Sequence, residues 1–571
     1  MLKKWVVNNQ NFSFANQLKE TLNVPLIFAQ LLEQRGVTSY SEAKQFLRPS
    51  SNDFHSPFLM LNMSEAVDRI LLAKNKNQRV MVYGDYDVDG TCSVALMFLF
   101  IQNLGINVIH YQPDRYKEGY GISMIGVEKA KKEKIDLVIA LDCGVKAIEQ
   151  SKELKKADID LIICDHHLPG KNLPVCVAML NPKQPNCAYP FKELCGCAIG
   201  FKLIQAIGQK LELNKEYILS FLDLAAIATA ADIVPMVGEN RVIVKLGLEL
   251  MNASPRHGVK ALLETSNKKG ELESSDLVFS LSPRINAAGR LAHASIAVEL
   301  LASKAKNDAL NFAKEIEQIN SLRKQKDKII TQEALLLLEN DKDKVTSVVC
   351  SDNWHKGVVG IVASRLIETY YRPTVVLCDD GEFITGSVRS VKDFDVHEIL
   401  VEIEDVFERY GGHKYAAGVT LYRERLTEFK KRFEEAVKRK ITKEVLSQKI
   451  QIDAEVSPLD LIRDKMDNPF PKLYRLVSQM APFGPGNMRP VFKLENMVDA
   501  GNTRVVGETH LKLNVKQLGG NLTFDGIGFG LGHLEPIVKK QGTSFAIAFS
   551  LEKNQYNGHT SFQLRVRDLV S

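Results

Sequence analysis

The chain has 571 residues, too many for one hydrophobic core, so about three or four domains are expected. Hydrophobic residues make up 45% and charged residues 25%, a balance that excludes a disordered chain. No apolar run is long enough for a membrane helix. The net charge of +5 is mild and compatible with a polyanion partner without demonstrating one.

The nine cysteines are scattered and contain no CxxC pair, which points to a reducing cytoplasm. No apolar signal segment follows Met1–Trp5, so no secretion is expected. Residues 1–62 are expected to be a small helical segment. Residues 63–290 are expected to form the next domain, in which the pattern alternates between strands and helices from about 79 to 235. Arg79–Tyr83, Asn107–Tyr111, Asp136–Leu141 and Asp160–Cys164 are short apolar strands, and Thr91–Leu104 is apolar nearly all round, as a buried helix is. Near-continuous apolar strands between helices predict a parallel sheet covered on both faces. Residues 291–343 form a connecting region, in which Lys304–Asn340 contains neither Gly nor Pro and predicts a long helical strut between two lobes. A second α/β unit is expected over 344–446. Alternating runs such as His510–Val515 and Ser561–Val566 predict an antiparallel barrel over 447–571.

The chemistry concentrates at strand ends. Asp85, Asp87 and Asp89 follow the first strand of the alternating region, Asp142 follows the third, and Asp165, His166 and His167 follow the fourth. In open parallel sheets those ends line the ligand crevice. An Asp after a strand is often only a helix cap or turn former. Three sets converging on one edge are harder to explain that way, because packed carboxylates repel unless cations neutralise them. Oxygen donors with added imidazole suit two ions of Mn²⁺ or Mg²⁺, which together clamp a phosphate for hydrolysis. A calcium loop is excluded, because the Glu that it needs six residues after Gly90 is Leu96.

The runs GDYDVDG at 84–90, DCG at 142–144, DHH at 165–167 and ADIVP at 231–235 resemble, in order, the four motifs of the DHH phosphoesterase superfamily. LSPRINAAGR at 281–290, Pro113–Tyr116 with Glu118–Gly121, Trp354–His355 with Gly357–Ile361, Gly411–His413 and Ala481–Asn487 narrow the resemblance to the RecJ family of single-strand-specific DNA exonucleases, over essentially the whole chain. The resemblance implies a DHH catalytic domain, a DHHA1 domain and an OB-type barrel. It implies that Asp85 and Asp87 bind one metal, that Asp89, His166 and Asp232 bind the other, and that Asp142 bridges the two. His167 would face the scissile phosphate, with Asp165 orienting the histidines. Arg115, Arg284, Ser387 and Arg389 would bind a 5′-terminal phosphate, and His355 and His413 would flank the strand. One departure touches the first metal: many superfamily members carry His where this chain has Tyr83, so the place of Asp85 in the ligand set stays open.

The implied activity is 5′-to-3′ hydrolysis of single-stranded DNA to 5′-mononucleotides in repair and recombination, by a cytoplasmic monomer. Single-strand-binding protein and a RecQ-type helicase are the partners implied, and no membrane is. A ring of the lobes and barrel around a narrow channel would exclude duplexes. Phe492, Phe524, Phe529 and Phe562 are candidates for stacking bases or for filling the barrel. Two rival readings are a superfamily enzyme acting on short or cyclic nucleotides, and a scaffold that has lost its metals.

Overall fold

The computed structural model describes residues 3–8, 12–341, 343–464, 468–540, 542–556 and 559–571. The N-terminal segment departs from expectation at its start. Lys4–Val7 is a strand, β1, pairing in parallel with the strand Lys449–Ile452. Trp5 and the β-branched pair Val6–Val7 favour an extended chain, and the pairing covers an edge that would otherwise be open. The helices that follow place Leu18, Phe28 and Leu31 in one core with the C-terminal barrel.

The first α/β unit is built on β2 (Arg79–Gly84), β3 (Asn107–Tyr111), β4 (Leu137–Leu141), β5 (Asp160–Cys164) and β6 (Ala178–Leu180), all parallel, in the order β3-β2-β4-β5-β6. From β2 the chain first turns to one side and then returns to the other, so the topological switch point lies between β2 and β4. The helix Val88–Asn103 is buried nearly all round and packs between the sheet and the helices Gly196–Lys210 and Leu222–Ala231.

The long helix runs from Lys306 to Leu338, about 50 Å at 1.5 Å per residue. Its Ala309, Ala313 and Ile316 join the core of the first unit. Ile330, Ala334 and Leu338 instead pack with Trp354, Val359 and Val362 of the second unit. That unit holds β7 (Ser347–Ser351), β8 (Thr374–Asp379), β9 (Phe383–Arg389), β10 (Arg409–His413) and β11 (Ala416–Tyr422), in the order β10-β11-β9-β8-β7, with only β7 and β8 parallel.

The last unit holds β12 (Lys449–Ile452), β13 (Ala454–Glu455), β14 (Phe492–Asp499), β15 (Arg504–Val506), β16 (His510–Gln517), β17 (Thr523–Gly528), β18 (Phe545–Tyr556) and β19 (His559–Val570). The pairings β14–β18–β19–β17–β16 return to β14, which closes a five-stranded barrel with no free edge inside it. The barrel docks back on the first unit through Arg241, whose guanidinium donates to the carbonyls of Met480, Ala481 and Pro482 at 2.8–3.1 Å. Among the described residues no helix is long and apolar enough to cross a membrane.

Candidate metal centre and phosphate pocket

The acidic groups gather at the switch point. Asp87 caps the helix Val88–Asn103, its Oδ1 accepting from the Gly90 amide at 3.1 Å, so the capping role and the crevice position coexist in one residue. Asp89 lies in the first turn and is buried. Its two oxygens accept from the Gly196 and Cys197 amides at 2.6 and 2.8 Å, where the helix Gly196–Lys210 begins. Asp142 leaves β4 with φ of +56°, a strained conformation of the kind found at functional sites. Asp232 ends the helix Leu222–Ala231.

His166 ties these groups together. Its Nε2 lies 3.2 Å from Asp142, 3.7 Å from Asp232 and 4.0 Å from Asp89. Three sets of donor atoms are close enough to share an ion: Asp85 with Asp87 and Asp142, Asp89 with His166 and Asp232, and Asp142 with His166 and His167. Asp142 belongs to the first and the third. Burial, then repulsion from the neighbouring carboxylates, raises the pKa of Asp85 and Asp142 well above the usual range and pushes Asp232 up to about 9. Burial also lowers that of His166, which favours the neutral imidazole that ligates metals. The donor set fits divalent cations on an independent ground: Asp85 Oδ1 and Asp232 Oδ2 are buried without a hydrogen-bond partner, and such orphaned acceptors are costly unless something electropositive sits on them.

Tyr83 is not part of this set. Its hydroxyl donates to the Gly121 carbonyl at 2.9 Å and accepts from the Ser123 amide at 3.1 Å, and its ring packs with Ile122 and Val127 on one face of the sheet. Asp165 holds His167: Oδ1 lies 2.8 Å from its Nδ1 and accepts from its backbone amide at 3.1 Å, and Oδ2 accepts from the Val145 amide. This contact leaves Nε2 of His167 for a ligand. Burial opposes the charged form of His167, but Asp165 and the other aspartates outweigh it and raise its pKa. The Tyr120 hydroxyl donates to the Asp142 carbonyl at 2.8 Å and lies 3.1 Å from His167 Nδ1.

A cluster of guanidiniums lies across the gap between the two lobes. Arg115 stacks 4.9 Å from the centre of the Tyr86 ring, between Asp85 and Asp87 in sequence. Arg389 donates to Ser387 Oγ at 2.6 Å, and Arg290 donates to the Gly357 carbonyl at 3.1 Å. Burial, then the charges of Arg115 and Arg389, pushes Arg290 down to about 10, as expected where cations are packed without an anion. Arg284 is not brought into this cluster. It is committed to Glu317 at 2.5 Å and to the Ser280 carbonyl at 2.7 Å. Arg290, six residues on in the same run, is the one that stands beside Arg115 and Arg389. The two sit on one helix, Ser282–Leu291, roughly 120° apart at 100° per residue, which the motif alone does not resolve.

His355 Nδ1 accepts from the Gly357 amide at 3.0 Å, and its ring meets Tyr116 edge-on at 6.2 Å, where the lobes approach. His413 is exposed at the end of β10, on the outer edge of its sheet. In the barrel, Phe492 and Phe524 fill the core and Phe562 packs against it. Phe529 is 54% exposed, with Arg565 over its ring and His510 beside it.

The chain is similar to known proteins in sequence and in fold. The DHH family N-terminal domain matches residues 79–229, the DHHA1 domain 342–439 and the RecJ OB domain 453–568. The single-stranded-DNA-specific exonuclease RecJ of Bacillus subtilis is 36% identical over 99% of this chain and 70% of its own length. Its Escherichia coli counterpart is 30% identical over 96% of each chain. The crystal structure of Thermus thermophilus RecJ with Mn²⁺ superposes on the whole chain and 79% of its own, with a TM-score of 0.83 at 28% identity, and the Mg²⁺ complex of that protein gives 0.77. The chain belongs to the RecJ family of single-stranded-DNA-specific exonucleases.

Proposed function

We propose that this chain degrades single-stranded DNA from the 5′ end, releasing 5′-mononucleotides by two-metal hydrolysis. The observation that carries the reading is a pair of opposite charge clusters joined by Tyr86. Buried carboxylates with orphaned oxygens stand on one side and packed guanidiniums on the other. A terminal phosphate held by the arginines would leave the next phosphodiester to the carboxylates. Membership of the family supports the substrate class.

Asp85, Asp87 and Asp142 would hold one ion and Asp89, His166, Asp142 and Asp232 the other. When bound, Mn²⁺ or Mg²⁺ neutralises the carboxylates, lowers the pKa of a coordinated water and draws charge from the phosphate. The chain's own residues do the rest. His167, steadied by Asp165, donates a hydrogen bond to the phosphate as charge develops there. Arg115, Arg290 and Arg389 with Ser387 bind the terminal phosphate through planar forks that match its oxygens. The tie of Tyr83 to Gly121 and Ser123 supports Asp85 as the residue that completes the first ligand set. His355 and His413 would line the strand path, and Phe529 offers the barrel a base-stacking surface. Repair and recombination, alongside single-strand-binding protein and a RecQ-type helicase, are the setting that such an activity fits.

The test is digestion of end-labelled single and double strands, and of a 30-mer against a dinucleotide, by wild type and Asp142→Ala. The reading expects single-strand cleavage from the 5′ end that the variant loses. Equal cleavage of duplexes, preference for the dinucleotide, or an active Asp142→Ala would overturn it.

A further inference from the structure

The buried face of the long helix is a single stripe: Ala309, Ala313, Ile316, Asn320, Arg323, Asp327, Ile330, Ala334 and Leu338. Its ends are apolar and pack on one lobe each, whereas its three central positions are polar. These central positions lie where the helix passes from one lobe to the other, which an apolar stripe would cross more cheaply.

The acidic groups of this region are accounted for. Glu317 pairs with Arg284 of the first lobe, and Asp327 pairs with Arg365 of the second at 2.8–3.0 Å. The groups between them are not. Asn320 is fully buried and Arg323 is 8% exposed. They share one bond, from an Arg323 guanidinium nitrogen to Asn320 Oδ1 at 2.9 Å. Arg323 Nε and Asn320 Nδ2 remain, buried donors without a partner. Two orphaned donors one turn apart, one of them cationic, call for an acceptor carrying negative charge. Arg323 also lies near enough to Arg290 to weigh on its protonation, so the pair adjoins the guanidinium cluster.

We propose that Asn320 and Arg323 form a further phosphate-contacting site, through which the linker helix grips a phosphate of the bound DNA strand. This rests on the proposed function. The phosphate is either the 5′-terminal one or an internal phosphodiester. The site makes the helix a reader of the substrate as well as a strut, because a ligand there joins the two lobes through the Glu317–Arg284 and Asp327–Arg365 pairs on either side.

The test uses the full chain, with Asn320→Leu and Arg323→Met, and a fluorescent single-stranded oligonucleotide bearing a 5′-phosphate or a 5′-hydroxyl, with Ca²⁺ in place of Mn²⁺. Binding and Tm are both read. Each variant is expected to stay folded and to weaken binding roughly tenfold, and Arg323→Met to reduce the slope of log K against log salt by about one. An equal loss on both oligonucleotides assigns the internal phosphodiester, and a larger loss on the phosphorylated one assigns the terminus. Unchanged binding by a folded variant, or a lower Tm without weaker binding, overturns the site and leaves a structural polar stripe. Asn320→Leu, which keeps the size and removes only the amide, decides the matter should Arg323→Met fail to fold. Wild type that binds no single strand would overturn the functional reading itself.

Discussion

Gly196→Ala should cripple the metal centre without altering a ligand. A Cβ on Gly196 would stand 2.6 Å from Asp142 Cβ, 2.7 Å from its Cα and 3.0 Å from its N. Ordinary contact begins near 3.4 Å, so the helix and Asp142 must part by about 0.8 Å, and the obstruction is largely backbone that cannot rotate away. The same shift draws the Gly196 amide off Asp89 Oδ2. Both carboxylates that the helix start braces would then move by nearly an ångström. Misplacement on that scale costs about 100-fold in rate, or about 2.7 kcal/mol of barrier. Gly200→Ala, one turn further along, is the control: its Cβ would meet the end of the Leu141 side chain at 2.8 Å, which can turn aside. Steady-state cleavage of a single-stranded oligonucleotide and a Mn²⁺ titration should separate the two. Gly196→Ala should lose activity and bind Mn²⁺ more weakly, and Gly200→Ala should stay within a few-fold of wild type. Equal activities would refute the idea that this contact sets the position of Asp142.

Arg290→Met should cut the preference for 5′-phosphorylated over 5′-hydroxyl strands by about tenfold, the loss of one charge-assisted contact, whereas Arg284→Met should chiefly lower Tm by stranding Glu317; matched digestions and melting curves decide. Because the folded pKa of Asp232 and its neighbours is raised, the metal-free protein holds protons there that the unfolded chain does not, and its stability falls as pH rises from about 4 to 9. The Tm gain from Mn²⁺ should therefore be larger at pH 8 than at pH 6, with protons released on loading, which calorimetry in two buffers of different ionisation enthalpy would register. Glu239 holds the fully buried Lys202 at 3.0 Å, the Tyr189 hydroxyl at 2.5 Å and the His55 amide at 3.0 Å. Glu239→Leu should cost about 3–5 kcal/mol by leaving a buried cation unpaired, and the double variant with Lys202→Met should cost less than the single one in denaturant unfolding.

The alternation of strand and helix made the parallel sheet legible, and the strand ends made the carboxylates legible, because both are local patterns of period and position. The strut was legible from the missing Gly and Pro. The partnership of β1 with β12 was not, since a four-residue run carries no address for a strand hundreds of residues away. That Arg290 rather than Arg284 stands beside Arg115 and Arg389 was hidden for a related reason: a motif gives residue types in order, and which of two arginines joins that cluster depends on the turn of the helix and on Glu317 waiting across from one of them. Nothing in the sequence sets Asn320 and Arg323 apart from the other polar positions of the long helix, and only their burial does.

The pairing of β1 with β12 also bears on how the protein is made. Lys4 finds its partner at Lys449, so at about 5–20 residues per second the first strand waits on the order of 20–90 s on the ribosome before its neighbour exists. The catalytic sheet, complete between residues 79 and 180, has no such delay. Synthesis therefore delivers the catalytic sheet while the N-terminal strand and its helices still lack the barrel core they will join, and the pairing of β1 with β12 must wait for that later stretch of chain. An N-terminal tag or truncation acts on that late step, and its cost should appear as slow maturation and aggregation of the newborn chain before it appears as a weaker enzyme.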